Sequence, residues 1–204
     1  MDEVHEFCRR VLGPGADADE AAREALAEPR GARVALLAAA ARACRARAVE
    51  DAASPANGTV ATDLAGAVEA EVRHAVAGLP ERQREVLALR EVIRLSHDQI
   101  AEVMGIDAAA VAPLLARARL RLREELRSAP AAPASCDQRD RALRALARRQ
   151  DSEPLTGDDD EWLFAHLGTC PECDQAHAAM IEASVCYRAA PVRASSLPVR
   201  SAPE

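Results

Sequence analysis

The sequence predicts an all-α protein assembled from small helical modules. Three observations point there. The composition is rich in alanine and arginine and contains no lysine, and both abundant residues favour helix. Apolar residues recur three and four positions apart over much of the chain, the period of a helix with one buried face. The residues that interrupt those stripes carry helix-start and helix-stop chemistry, as at Ser96, Gln99 and Gly105.

Taken in order, Val4, Phe7, Cys8, Val11 and Leu12 share one helical face, and 16–28 and 33–47 read as further helices, so residues 1–49 form a small helical module. A linker containing Ser54-Pro55-Ala56-Asn57-Gly58 is expected over 50–66. In the next module, 67–127, Pro80 suits a first helical position, and Val86, Leu87, Leu89 and Ile93 follow on one face. Ser96 is an N-cap with Gln99 at the capping-box position, Ile100, Val103 and Met104 form the apolar side of a short helix, and Gly105 ends it. The last helix begins near Asp107, keeps Val111, Leu115, Leu122 and Leu126 on one side and spreads Arg117, Arg119, Arg121 and Arg123 over the rest. Two helices joined by this tight turn form a helix-turn-helix whose last helix is the candidate DNA reader. A solvated arginine face offset by Glu124 and Glu125 is the competing reading.

This segment resembles region 4 of bacterial sigma factors of the extracytoplasmic-function type. The family opening Leu-Pro-x-x-x-Arg-x-Val-Leu is met by Leu79, Pro80, Arg84 or its neighbour Arg82, Val86 and Leu87, and Ile100-Ala101-Glu102, Gly105-Ile106 and the run from Ala116 to Leu122 continue the likeness. The resemblance implies contact with promoter DNA and with the RNA polymerase core, with Ser96, His97, Gln99, Arg117, Arg119 and Arg121 as the DNA-facing residues. The chain departs from the family where Ala110-Val111-Ala112-Pro113-Leu114-Leu115 replaces a polar Thr-Val-Lys-Ser-Arg-Leu segment. Alanine and leucine supply neither base-edge hydrogen bonds nor counterion release. Ala112, Pro113 and Leu114 instead read as an apolar surface suited to protein. That supports an alternative in which the chain is an adaptor that binds another transcription regulator. Residues 1–49 resemble sigma region 2 more loosely, through the stretch from Phe7 to Gly13 and the Ala-Asp-Glu run 16–21, but lack the aromatics that capture unstacked bases.

A second linker, 128–135, leads to Cys136 and then to His166-Leu167-Gly168-Thr169-Cys170-Pro171-Glu172-Cys173. A Cys-x2-Cys pair with a histidine four residues ahead has the spacing of a tetrahedral zinc site lacking one ligand. Cys136 is the first choice for that ligand and His177 the rival. A redox dithiol is disfavoured because no strand-helix-strand pattern surrounds the pair and because His166 is there. Helices are expected from Cys136 to Arg149, with Leu143 and Leu146 as the stripe, and from Glu161 to Leu167. The arrangement resembles the zinc-binding domain of bacterial anti-sigma factors. The resemblance implies Zn2+ held by Cys136, His166, Cys170 and Cys173, with Ala178 to Val185 continuing a helix after the cluster, in a domain spanning 136–188 able to fold back between the sigma-like modules. A disordered tail is expected over 189–204.

Cys8, Cys44 and Cys186 have no ligand spacing and read as core filling. His5, His74 and His97 are isolated histidines. The net charge of −7 confines any DNA contact to a local patch such as the arginines from 117 to 127. No nucleophile with a nearby base and no phosphate-cradling glycine loop stands out, so binding is expected and catalysis is not. Asp158-Asp159-Asp160 reads as an acidic helix start. The longest apolar run, Val34 to Ala41, ends at Arg42, and no secretory signal opens the sequence. A cytoplasmic protein with no membrane partner and with reduced, metal-binding thiols is therefore expected.

Overall fold

Helix α1, Asp2–Leu12, ends at Gly13, whose φ of 87° lets its N–H close on the Arg9 carbonyl at 2.9 Å. The structure, a computed structural model, describes residues 2–27, 32–50, 64–128 and 135–190. Two further helices, α2 (Ala16–Ala27) and α3 (Arg33–Glu50), pack with α1. Their contact is built from Phe7, Cys8 and Val11 against Ala21, Ala22, Ala25, Leu37, Ala40 and Ala41, all buried. Alanine faces let the helix axes approach closely, so a module almost without aromatics still fills its core. Cys8 and Cys44 meet inside it. A hydrogen bond with Cys8, together with burial, pushes the Cys44 thiol far above its usual range, which fits the expected role as core filling.

Helix α4, Leu64–Ala77, was not foreseen and begins inside the stretch expected to be linker. It packs on the long helix α7 and contributes Val72, Ala75 and Val76 to the core. Pro80 then caps α5, Glu81–Leu87, from just outside the helix instead of from its first position. The chain continues as a π-helical turn, Ala88–Val92, closed by Ile93 N–H to Ala88 O at 3.1 Å and ended by Arg94 at φ 64°. Helix α6, His97–Met104, starts with the full capping box: the Ser96 side chain accepts from Gln99 N–H, and the Gln99 side chain accepts from Ser96 N–H. Gly105 at φ 64° stops it, as its position in the sequence predicts.

Asp107 caps α7, Ala108–Arg127, through Ala109 N–H at 2.7 Å. The helix runs unbroken through Pro113, so the missing backbone donor does not end it. The axes of α6 and α7 are bent by 95° at the intervening turn, within the range of helix-turn-helix pairs. No single helix among the described residues is long and apolar enough to cross a membrane.

The remaining helices are α8 (Arg139–Gln150), α9 (Gly157–Leu167) and α10 (Pro171–Ala189). The expected boundaries shift: Cys136 lies before α8 in a turn, α9 begins four residues earlier because Thr156 caps it through Asp159 N–H, and α10 begins at the cysteine pair. Asp158, Asp159 and Asp160 occupy the first turn of α9, where carboxylates favour the helix dipole. Both α8 and α10 lie along α7, and α10 also reaches the π-turn. Leu146, Leu163, Met180, Ala183 and Tyr187 are buried in a core continuous with that of α5 to α7. From α1, the Arg10 guanidinium donates to the Tyr187 carbonyl at 3.2 Å and sits 4.9 Å from the centre of its ring. Among the described residues there is no strand, and the fold is all-α. Most of the two expected linkers and of the expected tail lies outside the described residues.

Candidate functional site

Three of the four candidate metal ligands come from one local hairpin. The end of α9 presents His166, the N-cap of α10 is Cys170, and Cys173 follows in its first turn. Backbone bonds fix the step between them, with Cys170 N–H on His166 O at 2.8 Å and Asp174 N–H on Cys170 O at 3.1 Å. Cys136 comes from the turn before α8. Its Sγ lies 3.6 Å from His166 Nε2, and the ligand atoms of Cys136, His166, Cys170 and Cys173 all lie within 4.8 Å of one another. A tetrahedral ion bonded at about 2.3 Å to sulfur and about 2.0 Å to nitrogen holds two such atoms roughly 3.5 Å apart, so the donor set fits one cation. His177 is not in the group.

The paired thiols sit in opposite electrostatic settings. A hydrogen bond from the Cys173 backbone lowers the Cys170 thiol below its ordinary value. Burial, with Cys170 and Cys136 alongside, pushes Cys173 up to about 12, which makes it the thiol that most needs a cation to lose its proton. Around the ligands, Trp162 stacks on His166 with ring centres 4.8 Å apart and planes 15° from parallel. Arg141 covers the Trp162 ring at 4.1 Å and bonds Asp159 at 2.7 Å. This stack, which fixes the plane of the His166 ring, was missed in the sequence. Its trace there is the one-turn spacing of Trp162 and His166.

The second constellation joins this unit to the helix-turn-helix. Arg119, 1% exposed, bonds Glu91 at 2.7 Å and Asp151 at 2.5 Å. Asp151, at the C-terminal end of α8, also takes His97 Nε2 at 2.9 Å and the Arg90 guanidinium at 3.1 Å. Glu91 takes the Ser184 hydroxyl at 2.7 Å and Arg188 at 2.5 Å, both from α10. The Glu153 side chain accepts His97 N–H at 2.9 Å, filling one of the open donors at the start of α6. Further along α7, Glu182 of α10 bonds both Arg123 and Arg127. Burial alone would raise the Asp151 carboxyl, but hydrogen bonds from His97 and Arg119 and the charges of Arg119 and Arg90 hold it at about 2. Burial likewise works against charge on Arg119, and Asp151 and Glu91 more than offset it, raising its guanidinium above the ordinary value.

The residues expected to face DNA therefore divide. Arg117 is exposed, and Arg121 is exposed with Glu125 3.6 Å away. Ser96 and Gln99 are half-buried, and their polar atoms serve the capping box. His97 and Arg119 lie in the interior against carboxylates, so in this arrangement neither reaches a phosphate or a base. The expected apolar partner surface is corrected as well: Ala112 is buried, and Pro113 and Leu114 are half-buried, because this part of α7 contributes to the core of the protein itself.

The helix pair bent by 95°, with its capping box and left-handed glycine, falls largely within the segment that matches a known family. Residues 69–122 match the family model for Sigma-70, region 4. Comparison with curated proteins and with solved structures finds no match. The region 4 match runs from within α4 to Leu122 in α7, about a quarter of the chain. Region 4 segments engage RNA polymerase core and promoter DNA, and the match supports a sigma-factor-like transcription regulator.

Proposed function

We propose that the chain is a sigma-factor-like transcription regulator held closed by its own zinc-binding module, which comprises α8 to α10 and binds Zn2+ through Cys136, His166, Cys170 and Cys173. When bound, zinc closes a structural four-ligand site that fixes α9 against the start of α10. The observation that carries the regulatory reading is the placement of carboxylates. Asp151, Glu153 and Glu182 of this module sit on Arg90, Arg119, Arg123, Arg127 and the first N–H of α6. Arginines on the last helix and the N-terminus of a helix are what a helix-turn-helix offers to DNA phosphates. Carboxylates in those positions exclude phosphates, so closure and DNA binding compete. Promoter DNA and core polymerase would gain access when α8 and α10 leave α7.

The test uses the full-length protein carrying Asp151→Asn, Glu153→Gln and Glu182→Gln together, with circular dichroism to establish folding. Duplex DNA should bind at least about tenfold more tightly than to the wild type, with a steeper salt dependence of about 0.9 in slope for each arginine that gains a phosphate. Binding to core polymerase should rise as well. Unchanged affinity and salt slope would sink the closed-form reading. They would favour the second one, an adaptor for another transcription regulator, since the segment from Ala110 to Leu114 carries no polar side chain that could read a base edge.

A further inference from the structure

Cys136 is the ligand that local helix geometry does not place. His166, Cys170 and Cys173 are set by the junction of α9 and α10, whereas Cys136 arrives from a turn thirty residues before His166 in the sequence. What ties that turn to the hairpin is Glu172, the residue between the paired cysteines. Its carboxylate accepts Ser135 N–H at 2.9 Å, Cys136 N–H at 3.1 Å and the Ser135 hydroxyl at 2.5 Å. On the other side, the Cys136 carbonyl accepts Arg139 N–H at 3.1 Å, so the peptide groups flanking the Cys136 side chain are held from both directions.

We propose that Glu172 is a positioning residue that clasps the Cys136 segment to the turn bearing Cys170 and Cys173, and so converts a three-ligand hairpin into a closed four-ligand site. The inference rests on the reading that the cluster binds zinc. A carboxylate in the first turn of a helix ordinarily serves the N–H groups of its own helix. Glu172 spends both oxygens on another segment, and the two backbone N–H groups it accepts are those of the ligand residue and its neighbour. A ligand held in place before the ion arrives gives up less conformational freedom on binding, which is how outer partners of metal ligands raise affinity. The Glu172 carboxylate bonds Ser135 and the Cys136 backbone, while only its backbone N–H meets the Cys170 thiol, so the effect of removing the carboxylate should pass through Cys136 alone.

The experiment uses the full-length protein, Co2+ as the spectroscopic probe and Zn2+ in competition with a chromophoric chelator. The wild type should show the thiolate charge-transfer and d–d bands of a tetrahedral Cys3His site. Glu172→Ala should weaken Zn2+ binding by about 10–100-fold and shift the Co2+ bands in the direction that Cys136→Ser shifts them. Glu172→Gln keeps an acceptor oxygen for the two N–H groups and should stay within roughly threefold of wild type, while Ser135→Ala, which removes one hydrogen bond, should fall between Gln and Ala. Combined with Cys136→Ser, Glu172→Ala should cost nothing further. Wild-type affinity and spectrum in Glu172→Ala, or full additivity with Cys136→Ser, would overturn the clasp and leave the metal site standing. If Glu172→Ala does not fold, equal affinity for Ser135→Ala, Glu172→Gln and wild type overturns the clasp. No thiolate band in the wild type overturns the site reading and the clasp with it.

Discussion

Arg119 sits in the middle of an arginine run yet behaves unlike its neighbours. Arg117 and Arg121 point outward from α7, while Arg119 lies one turn beyond Leu115 and shares its buried face with Leu122. The sequence carried that signal. The stripe of Val111, Leu115, Leu122 and Leu126 has a gap at 118–119, and a helix cannot skip a turn of its buried face. Removing one partner of a buried ion network leaves the others desolvated and uncompensated, which costs about 3–5 kcal/mol. Arg119→Ala is therefore expected to lower the unfolding free energy by that amount in urea, whereas Arg117→Ala should stay within about 0.5 kcal/mol of wild type. An equal, small effect for both would mean that the network carries no strain when broken. Asp151 adds a pH dependence. Its carboxyl is lowered from 3.8 to about 2 on folding, so the stability it contributes is complete above pH 3.8 and drains away as the pH falls toward 2. The amount is on the order of 2 kcal/mol. Asp151→Asn should flatten the denaturation free energy across that window, and a slope identical to wild type there would refute the assignment.

The elements that the sequence described well are those bounded by side-chain chemistry. Ser96 with Gln99, Asp107 and Gly105 mark α6 and the start of α7 to the residue, because a capping side chain acts within three positions and needs no tertiary context. Elements marked only by packing were harder. The helix α4 is a run of Ala, Val and Glu whose buried face shows only once α7 covers it, and α9 starts at Gly157, ahead of its apolar residues, because Thr156 caps it there. Pro113 shows the reverse case: an intrinsic helix breaker inside α7 is overridden by the burial of Val111, Ala112, Leu115 and Ala116 around it. At the turn, Gly105 has φ 64° with nothing within 4 Å of where a Cβ would stand, so substitution there meets backbone strain and no steric clash. Gly105→Ala should cost about 1 kcal/mol in thermal unfolding, and a neutral result would mean that the turn rearranges.

At the scale of the whole molecule, His166, Cys170 and Cys173 were legible because ligand spacing is itself sequence information, whereas Cys136, thirty residues upstream, was a choice over His177 that only the fold brings to the cluster. The docking of α8 and α10 on α7 was not legible, because it is written in Glu91, Asp151 and Ser184, single polar residues in separate modules with no motif among them. That docking gives metal loss a directional consequence. Helix α10 holds the candidate ligands Cys170 and Cys173 at its start and the contacts of Glu182, Ser184 and Arg188 with α7 and the π-helical turn in its second half. Helix α9 meets α8 and α10 and carries a single fully buried large side chain, Leu163, with Phe164 exposed. Its own packing is thus too thin to replace an ion, whereas Met180, Ala183 and Tyr187 keep the far half of α10 anchored in the common core. Treatment with a strong chelator should therefore raise hydrogen exchange in α9 and the first turn of α10 by several orders of magnitude, as expected for loss of a structural zinc. It should raise exchange in α7 less. If DNA and polymerase binding increase in the same sample, the metal site and the junction are one coupled device through α10. If α9 opens while α7 protection and binding stay fixed, the metal is a local staple, and release of α7 depends on the carboxylate contacts alone.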